Sequence, residues 1–146
     1  MAPDEGIRLR AEDAGDLAVI SACLQDALVS VRDLAFDRDA RRFVLVANRF
    51  RWERRPDGAA EPGFERTLCG VAFDEVDAVA YRGFRRSDED RILSLLAVQA
   101  PKEGGTIDLE FSAGGSIRLS VAAIACHARD LGEPWPTAWQ PDHDRP

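Results

Sequence analysis

The spacing of apolar residues predicts one amphipathic helix near the start of the chain, from Asp13 to about Ala27. The apolar positions recur every three or four residues, which is the period of an α-helix, and they are Leu17, Ile20, Leu24 and Leu28. Asp13 is suited to cap the free amides of the first turn, and Asp16 places negative charge where the helix dipole favours it. We therefore expect this helix to pack its apolar side against a core.

From position 29 onward the apolar period changes to two, which is typical of β-strands. A short strand is also predicted before the helix, at Ile7 to Arg10, where apolar residues alternate with arginines. The longer alternating runs lie within residues 29–36, 41–52, 64–73, 76–84, 106–111 and 117–121. The stretch 54–63 has two prolines, two glycines and no periodicity, so we expect a mobile loop there.

Residues 88–98 are ambiguous between a helix and a strand. Ser87 and Asp90 resemble a helix cap, but the apolar run Ile92 to Val98 is short and is bounded by Pro101 and two glycines. We interpret the run as a buried strand that follows a helical turn.

The stretch TIDLEFSAGGSIRLSV predicts a β-hairpin. Its two arms alternate apolar and polar residues, and Gly114 and Gly115 can adopt the positive φ angles of a tight turn. The inward residues are expected to be Ile107, Leu109, Phe111, Ile117, Leu119 and Val121. The outward acids Asp108 and Glu110 are placed to meet Arg118 across the strands.

The segment RFRWERR lies in an arginine-rich region, because residues 41–55 hold six arginines and one glutamate. If the segment continues the preceding strand, Phe50 and Trp52 share the face of Val44, Val46 and Asn48, which we expect to be buried. Arg49 and Arg51 then lie on the opposite, polar face. This arrangement disfavours nucleic-acid binding, since proteins that bind single strands expose aromatic and cationic side chains on the same surface.

These elements predict an α+β fold, a mostly antiparallel curved sheet or partial β-barrel of about seven strands with one N-terminal amphipathic helix. A pleckstrin-homology-like barrel is the alternative, although the helix of that fold normally follows the sheet. The length of 146 residues fits a single domain, 1–146, with a core at about 7–133. A Pro/Trp-rich C-terminal tail at 133–146 carries Trp135 and Trp139, and we expect it to strap onto the sheet or to offer a partner an aromatic anchor.

Composition narrows the class of protein. Hydrophobic residues make up 45% and charged residues 31%, as in ordinary globular proteins, and a net charge of -7 works against attraction to nucleic acid. No apolar run approaches the ~20 residues of a membrane helix, and the N-terminus is acidic, so a cytoplasmic location is expected. Cys23, Cys69 and Cys126 form no CxxC pair and are expected to be free, buried thiols, and no cofactor or metal is expected.

Candidate catalytic groups are few. Cys126 and His127 are adjacent, so on a strand their side chains point to opposite faces and cannot form a catalytic dyad. The acids Asp74, Glu75 and Asp77 are expected to be solvated at a turn. His143 lacks the further ligands that a metal site requires.

The binding residues that the sequence favours combine the arginine-rich strand with the aromatic tail. They are Arg49, Arg51, Arg54, Arg55, Trp135 and Trp139.

Several stretches resemble a known family. LRAEDAGDLAVISACLQDALV, RRFVLVANRFRWE, and LSLLAV followed by IRLSV are similar to the signature stretches of the alphaproteobacterial domain-of-unknown-function family 2948. The likeness covers roughly Ile7 to Pro134. It implies a bacterial, cytosolic, single-domain protein, and it assigns no activity to any residue.

The sequence therefore favours a non-enzymatic binding or adaptor module whose partner is an acidic protein or a small anionic ligand. One alternative is an enzyme whose site is assembled from dispersed residues such as Asp77, Arg82 and His127. Another is a weak nucleic-acid binder that uses the arginine-rich strand. A strand edge at Ile7 to Arg10 would also allow two copies of the chain to pair.

Overall fold

The computed structural model describes residues 6–50 and 65–131 and the short strand Trp135–Pro136. For Glu65, Trp135 and Pro136 only the backbone is described. The helix α1 spans Ala14–Cys23. The strands are β1 Arg8–Ala11, β2 Leu28–Ser30, β3 Ala35–Asp37, β4 Arg42–Phe50, β5 Glu65–Phe73, β6 Val76–Arg82, β7 Ile92–Gln99, β8 Thr106–Phe111, β9 Ser116–Val121, β10 Cys126–Asp130 and β11 Trp135–Pro136.

The strands form one sheet in the order β1-β10-β5-β4-β2-β7-β8-β9-β6, with β11 added beside β5 and β3 beside β4. The described strand pairs are antiparallel. The mostly antiparallel sheet with an N-terminal helix is thus confirmed, but its described part has more strands than the expected seven. One reason is that a 3₁₀ turn at Val31–Asp33 divides the run 29–36 into β2 and β3.

The chain bends at two short connections, which lie side by side and join the two ends of the strand order. β5 and β6 are consecutive in the chain, as are β9 and β10, yet β5 pairs with β10 and β6 pairs with β9. The Asp74 amide donates to the Ala125 carbonyl at 2.8 Å, and the Ala122 amide donates to the Glu75 carbonyl at 3.0 Å. These hydrogen bonds hold the two bends together.

The helix packs against β1 and β7 and begins as predicted. Asp13 is its N-cap, and its Oδ1 accepts a hydrogen bond from the Asp16 amide at 2.8 Å. The apolar stripe is buried at Leu17, Ile20 and Leu24. The helix ends at Cys23, earlier than predicted, because the Asp26 amide and the Ala27 carbonyl already pair with Leu95 of β7. Leu28, the last predicted stripe residue, lies in β2 and is 36% exposed.

The inward face of β4 is the opposite of the predicted one. Phe43, Leu45, Ala47 and Arg49 are buried, and Val44, Val46, Asn48 and Phe50 are half-buried on the other face. Both faces carry apolar residues, so alternation alone does not define the inner one. The partner strand decides it, since Phe43, Leu45 and Ala47 lie opposite the buried Phe73, Val71 and Cys69 of β5.

The second half of the sheet follows the sequence closely. Residues 92–99 are the strand β7, which resolves the ambiguity at 88–98, and two consecutive turns precede it. β8 and β9 form the predicted hairpin, and the six expected inward residues are buried. In its turn the positive φ angles belong to Ala113 (62°) and Gly114 (84°), whereas Gly115 has φ of -81°, so the assignment of Gly115 was wrong.

Two further expectations concern single contacts and segments. Arg118 pairs with Asp108 as predicted, with an Nε to Oδ1 distance of 2.8 Å. The backbone of Trp135–Pro136 pairs with β5, in agreement with a tail that straps onto the sheet at these two residues.

The expected mobile loop at 54–63, the rest of the tail 133–146, Trp52 and His143 lie outside the described residues. Among the described helices none is long and apolar enough to span a membrane.

Candidate anion-binding groove

Arg49, the first predicted binding residue, is held inside the protein by Asp130 of β10. Its Nε donates to Asp130 Oδ1 at 2.9 Å and its Nη2 to Asp130 Oδ2 at 2.8 Å, and Nη1 donates to the Phe50 carbonyl at 2.8 Å. Asp130 Oδ2 also accepts the Ile7 amide at 2.9 Å. The Arg49 side chain is 0% exposed and that of Asp130 is 5% exposed. The prediction that Arg49 faces solvent was therefore wrong, because this strand face is the core face.

The ion pair also determines the protonation of Asp130. Burial by itself raises the pKa of the Asp130 carboxyl, but the hydrogen bonds from Arg49 and Ile7 and the charge of Arg49 outweigh burial. The net result is a pKa below the ordinary value. Asp130 therefore stays ionised and links β10 to β4 and to the residue before β1.

The structure does not describe the side chains of the other predicted binding residues. Arg51, Arg54, Arg55 and Trp139 lie outside the described residues, and for Trp135 only the backbone is described.

The arginines at the start of β4 are paired with the acids of the first bend. Arg41 contacts Glu75 at 3.4 Å and Asp77 at 2.8 Å, and Arg42 contacts Asp74 at 2.7 Å. The three carboxylates were expected to be simply solvated, but each forms an ion pair with an arginine. No group of three or more His, Cys, Asp or Glu residues in the described ranges is arranged to hold a metal ion.

Cys126 and His127 lie on opposite faces of β10, as predicted. Cys126 is buried, and burial raises the pKa of its thiol to about 12. The thiol of Cys69 is also buried, and its pKa is likewise raised to about 12, chiefly by burial. The expectation of free, buried thiols is confirmed for these two residues, whereas Cys23, which forms no disulfide, is only half-buried.

The dispersed catalytic set of Asp77, Arg82 and His127 is not brought together. Asp77 is ion-paired with Arg41, and Arg82 lies five residues further along β6, which corresponds to about 17 Å of extended strand. His127 lies on β10, and its Nδ1 is 4.0 Å from Asp74 Oδ2.

A groove of about 720 Å³ lies on the outer face of β1, β10, β5 and β4. The pairing of the four strands aligns its surface residues in rows across the sheet. One row across the four strands consists of Arg10, His127, Ala72 and Val44, and the next row consists of Arg8, Arg129, Gly70 and Val46. Cationic side chains therefore occupy β1 and β10, and small or apolar residues occupy β5 and β4.

Along its middle the groove is lined by β5, which contributes only small outward-facing residues there. Gly70 has none and Ala72 has only a methyl group, and both lie between the larger residues of β10 and β4. At one end Leu131 folds over Gly70, since a Cβ atom added to Gly70 would lie 3.3 Å from Leu131 Cδ2. Gly70 thus leaves room for the Leu131 side chain, which covers this end of the groove.

The arginines of the groove are exposed and lack acidic partners in the ranges 6–50 and 65–131. Arg8, Arg10 and Arg129 are exposed, and in the described part of the chain no carboxylate forms an ion pair with them. Arg8 lies directly opposite Arg129, an arrangement of like charges that destabilises a strand pair. A bound anion would relieve this repulsion.

A second hollow of about 570 Å³ continues the groove around the end of β1. It shares Arg8, Arg129 and Leu131 with the groove, and Gly6, Ile7 and Asp130 complete it. Arg8 and Arg129 therefore line two adjacent spaces.

Comparison with known proteins places the chain in a family. The family described as "Protein of unknown function (DUF2948)" matches residues 7–143, which is most of the chain. The chain belongs to this family. No curated protein and no solved structure matches it. The resemblance found in the sequence is thereby confirmed, and the residues of the groove lie within the part that matches DUF2948.

The sequence of this DUF2948 chain showed the separate cationic residues of the groove, but not that they lie side by side. The alternation of Arg8 and Arg10 in β1 was visible, and His127 and Arg129 alternate in the same way in HARD. What joins these residues is the pairing of β1 with β10, more than one hundred positions away in the chain. No local pattern predicts such a pairing.

Proposed function

We propose that this DUF2948 protein is a non-enzymatic binding module that takes a small anionic ligand in the groove over β1, β10, β5 and β4. The observation that carries the proposal is the opposition of Arg8 and Arg129, exposed and without acidic partners among the described residues, beside an apolar hollow. Cations that do not serve the fold, and that repel each other, are expected where a ligand supplies the negative charge.

The size of the groove supports a small ligand. Its volume of about 720 Å³ lies within the roughly 300–1,000 Å³ that is typical of small-molecule sites. The surrounding protein is acidic overall, with a net charge of -7, which opposes the long-range attraction that a polynucleotide requires. The positive charge is thus local and is matched to a local anion.

The arginine-rich strand gives less support to nucleic-acid binding than its composition suggested. Of its described arginines, Arg41 and Arg42 are paired with acids at the bend and Arg49 is buried with Asp130. Exposed cationic side chains that border a groove lie instead on β1 and β10.

Calorimetric titration of the full chain with citrate and inorganic phosphate at low salt tests this proposal. We expect the double substitution Arg8→Glu with Arg129→Glu to weaken binding at least tenfold, because it reverses both opposed charges. The control is Arg82→Glu with Arg85→Glu, which makes the same change of net charge at exposed positions outside the groove. Equal losses in the two double variants, or no binding to the unmodified chain, would contradict the proposal.

A further inference from the structure

We infer that the ligand of the groove carries a phosphoryl group, seated between Arg8 and Arg129, and an apolar body that lies over Ala72 beside Leu131. This inference rests on the proposed function and specifies the chemistry of the ligand. Both halves of the ligand follow from the positions of side chains on the four strands.

The opposition of Arg8 and Arg129 favours a phosphoryl group over a carboxylate. Residues directly opposite on antiparallel strands have Cβ atoms about 5 Å apart, so the two guanidinium groups can converge on one anion. Each guanidinium is a planar fork that donates two parallel hydrogen bonds. A carboxylate carries one negative charge and can neutralise one guanidinium, whereas a phosphoryl group has three terminal oxygens and a charge near -2, which can neutralise both.

The neighbouring row adds positive charge on the same side of the groove. Arg10 lies opposite His127, two residues along the strands from Arg8 and Arg129, a spacing of about 7 Å. The exposed Arg10 has no acidic partner among the described residues and stays available to the outer oxygens of the anion. His127 Nδ1 lies 4.0 Å from Asp74 Oδ2, so this imidazole also contacts a carboxylate outside the groove.

The other half of the groove is apolar and is suited to the apolar part of an organic ligand. Ala72 and the Leu131 side chain, which covers Gly70, form its floor, and Val44 and Val46 form its far wall. Two strand spacings separate β10 from β4, a width of about 10 Å that accommodates an aromatic ring or a similar flat group. An inorganic phosphate ion would fill a small part of a 720 Å³ space, so a larger ligand is expected.

The test compares three probes by calorimetry at pH 7.5, at which phenyl phosphate is mainly a dianion. The probes are phenyl phosphate, inorganic phosphate and benzoate, so that the ring and the anionic group are varied separately. We expect phenyl phosphate to bind the full chain at least tenfold more tightly than benzoate, and more tightly than inorganic phosphate.

Two variants separate the two halves of the site. Arg129→Gln should weaken the binding of phenyl phosphate and inorganic phosphate alike. Ala72→Leu fills the floor from outside the core, and should lower the affinity for phenyl phosphate to that for inorganic phosphate while leaving the latter unchanged. Arg82→Gln, at an exposed position on β6, is the matched control and should change neither affinity.

The outcomes distinguish this inference from the function on which it rests. If benzoate binds as tightly as phenyl phosphate and Arg129→Gln weakens both, the groove binds anions but the phosphoryl assignment is wrong. If Ala72→Leu does not alter the affinity for phenyl phosphate, the apolar body does not lie over β5 and the inference also fails. If neither these probes nor citrate bind, both the inference and the proposed function are overturned.

Discussion

Arg49 and Asp130 show how one side chain can be misassigned when its environment is set by distant residues. An arginine on a strand with apolar neighbours is usually exposed, and the sequence gives no sign that a carboxylate eighty-one positions away will meet it. The alternation along β4 was predicted correctly as a period. Its phase depended on β5 and β10, which no local pattern identifies.

Replacement of Arg49 by methionine tests the structural role of this pair. The change leaves Asp130 buried without its partner, which typically costs about 3–5 kcal/mol of folding free energy. The matched control is Arg118→Met, which breaks the pair with Asp108 at a position where the arginine is 60% exposed, and should cost about 1 kcal/mol or less. Urea denaturation measures both. Equal losses would show that the buried pair is no more important than the exposed one.

The lowered pKa of Asp130 predicts a loss of stability in acid. The carboxyl binds its proton more weakly in the folded than in the unfolded chain, whose value is about 3.9. Its stabilising contribution is thus complete above that pH and is lost as the pH falls through the lower, folded value. Urea denaturation between pH 3 and 7 should show a smaller dependence on pH below about 4 in Asp130→Asn than in the unmodified chain. The same dependence in both would exclude Asp130 as the cause.

At the scale of elements, like charges across β1 and β10 predict that the groove lowers stability. Arg129→Glu should place opposite charges face to face with Arg8 and stabilise the protein by about 0.2–1 kcal/mol, while it abolishes anion binding. Arg82→Glu is the control, because Arg82 lies opposite the uncharged Ser116. Thermal unfolding at low and high salt measures the effect, and the gain should shrink as salt increases. A loss of stability in Arg129→Glu would contradict the arrangement of this strand pair.

Glycines in the turns provide a second test at this scale. Gly83 and Gly104 have φ of 85° and 80°. A Cβ atom on Gly83 would lie 2.5 Å from the Gly114 carbonyl oxygen, whereas a Cβ atom on Gly104 would have no described atom within 4 Å. Gly104→Ala should therefore cost about 1–2 kcal/mol from backbone conformation alone. Gly83→Ala should cost about 1–3 kcal/mol more, because the opposing turn must move. Equal costs in urea denaturation would show that no close approach exists.

Elements were predictable where the local pattern was unambiguous. The helix α1, with its cap at Asp13, and the hairpin β8–β9 follow from spacing and from glycines. The end of α1 was not predictable, because it is set by hydrogen bonds of Asp26 and Ala27 to β7. The division of residues 29–36 by a 3₁₀ turn was missed for a similar reason, since each half pairs with β4 separately.

At the scale of the whole molecule, the sequence indicated a curved antiparallel sheet but not the order of its strands. That order brings β1, at the start of the chain, beside β10, near its end, and the groove exists only because of this contact. The residues first favoured for binding were chosen by local density of arginine and tryptophan. The groove residues are sparse in the sequence and become a cluster only through the pairing of distant strands.

The claim on which this account depends is that an anion binds on the outer face of β1, β10, β5 and β4, and amide chemical-shift mapping of the full chain tests it most directly. During titration with phenyl phosphate, the largest shifts should fall on the amides of Gly70, Ala72 and Arg129, and Arg8→Glu with Arg129→Glu should abolish them. Shifts centred on β6 and β9, or shifts that persist unchanged in the double variant, would contradict the claim.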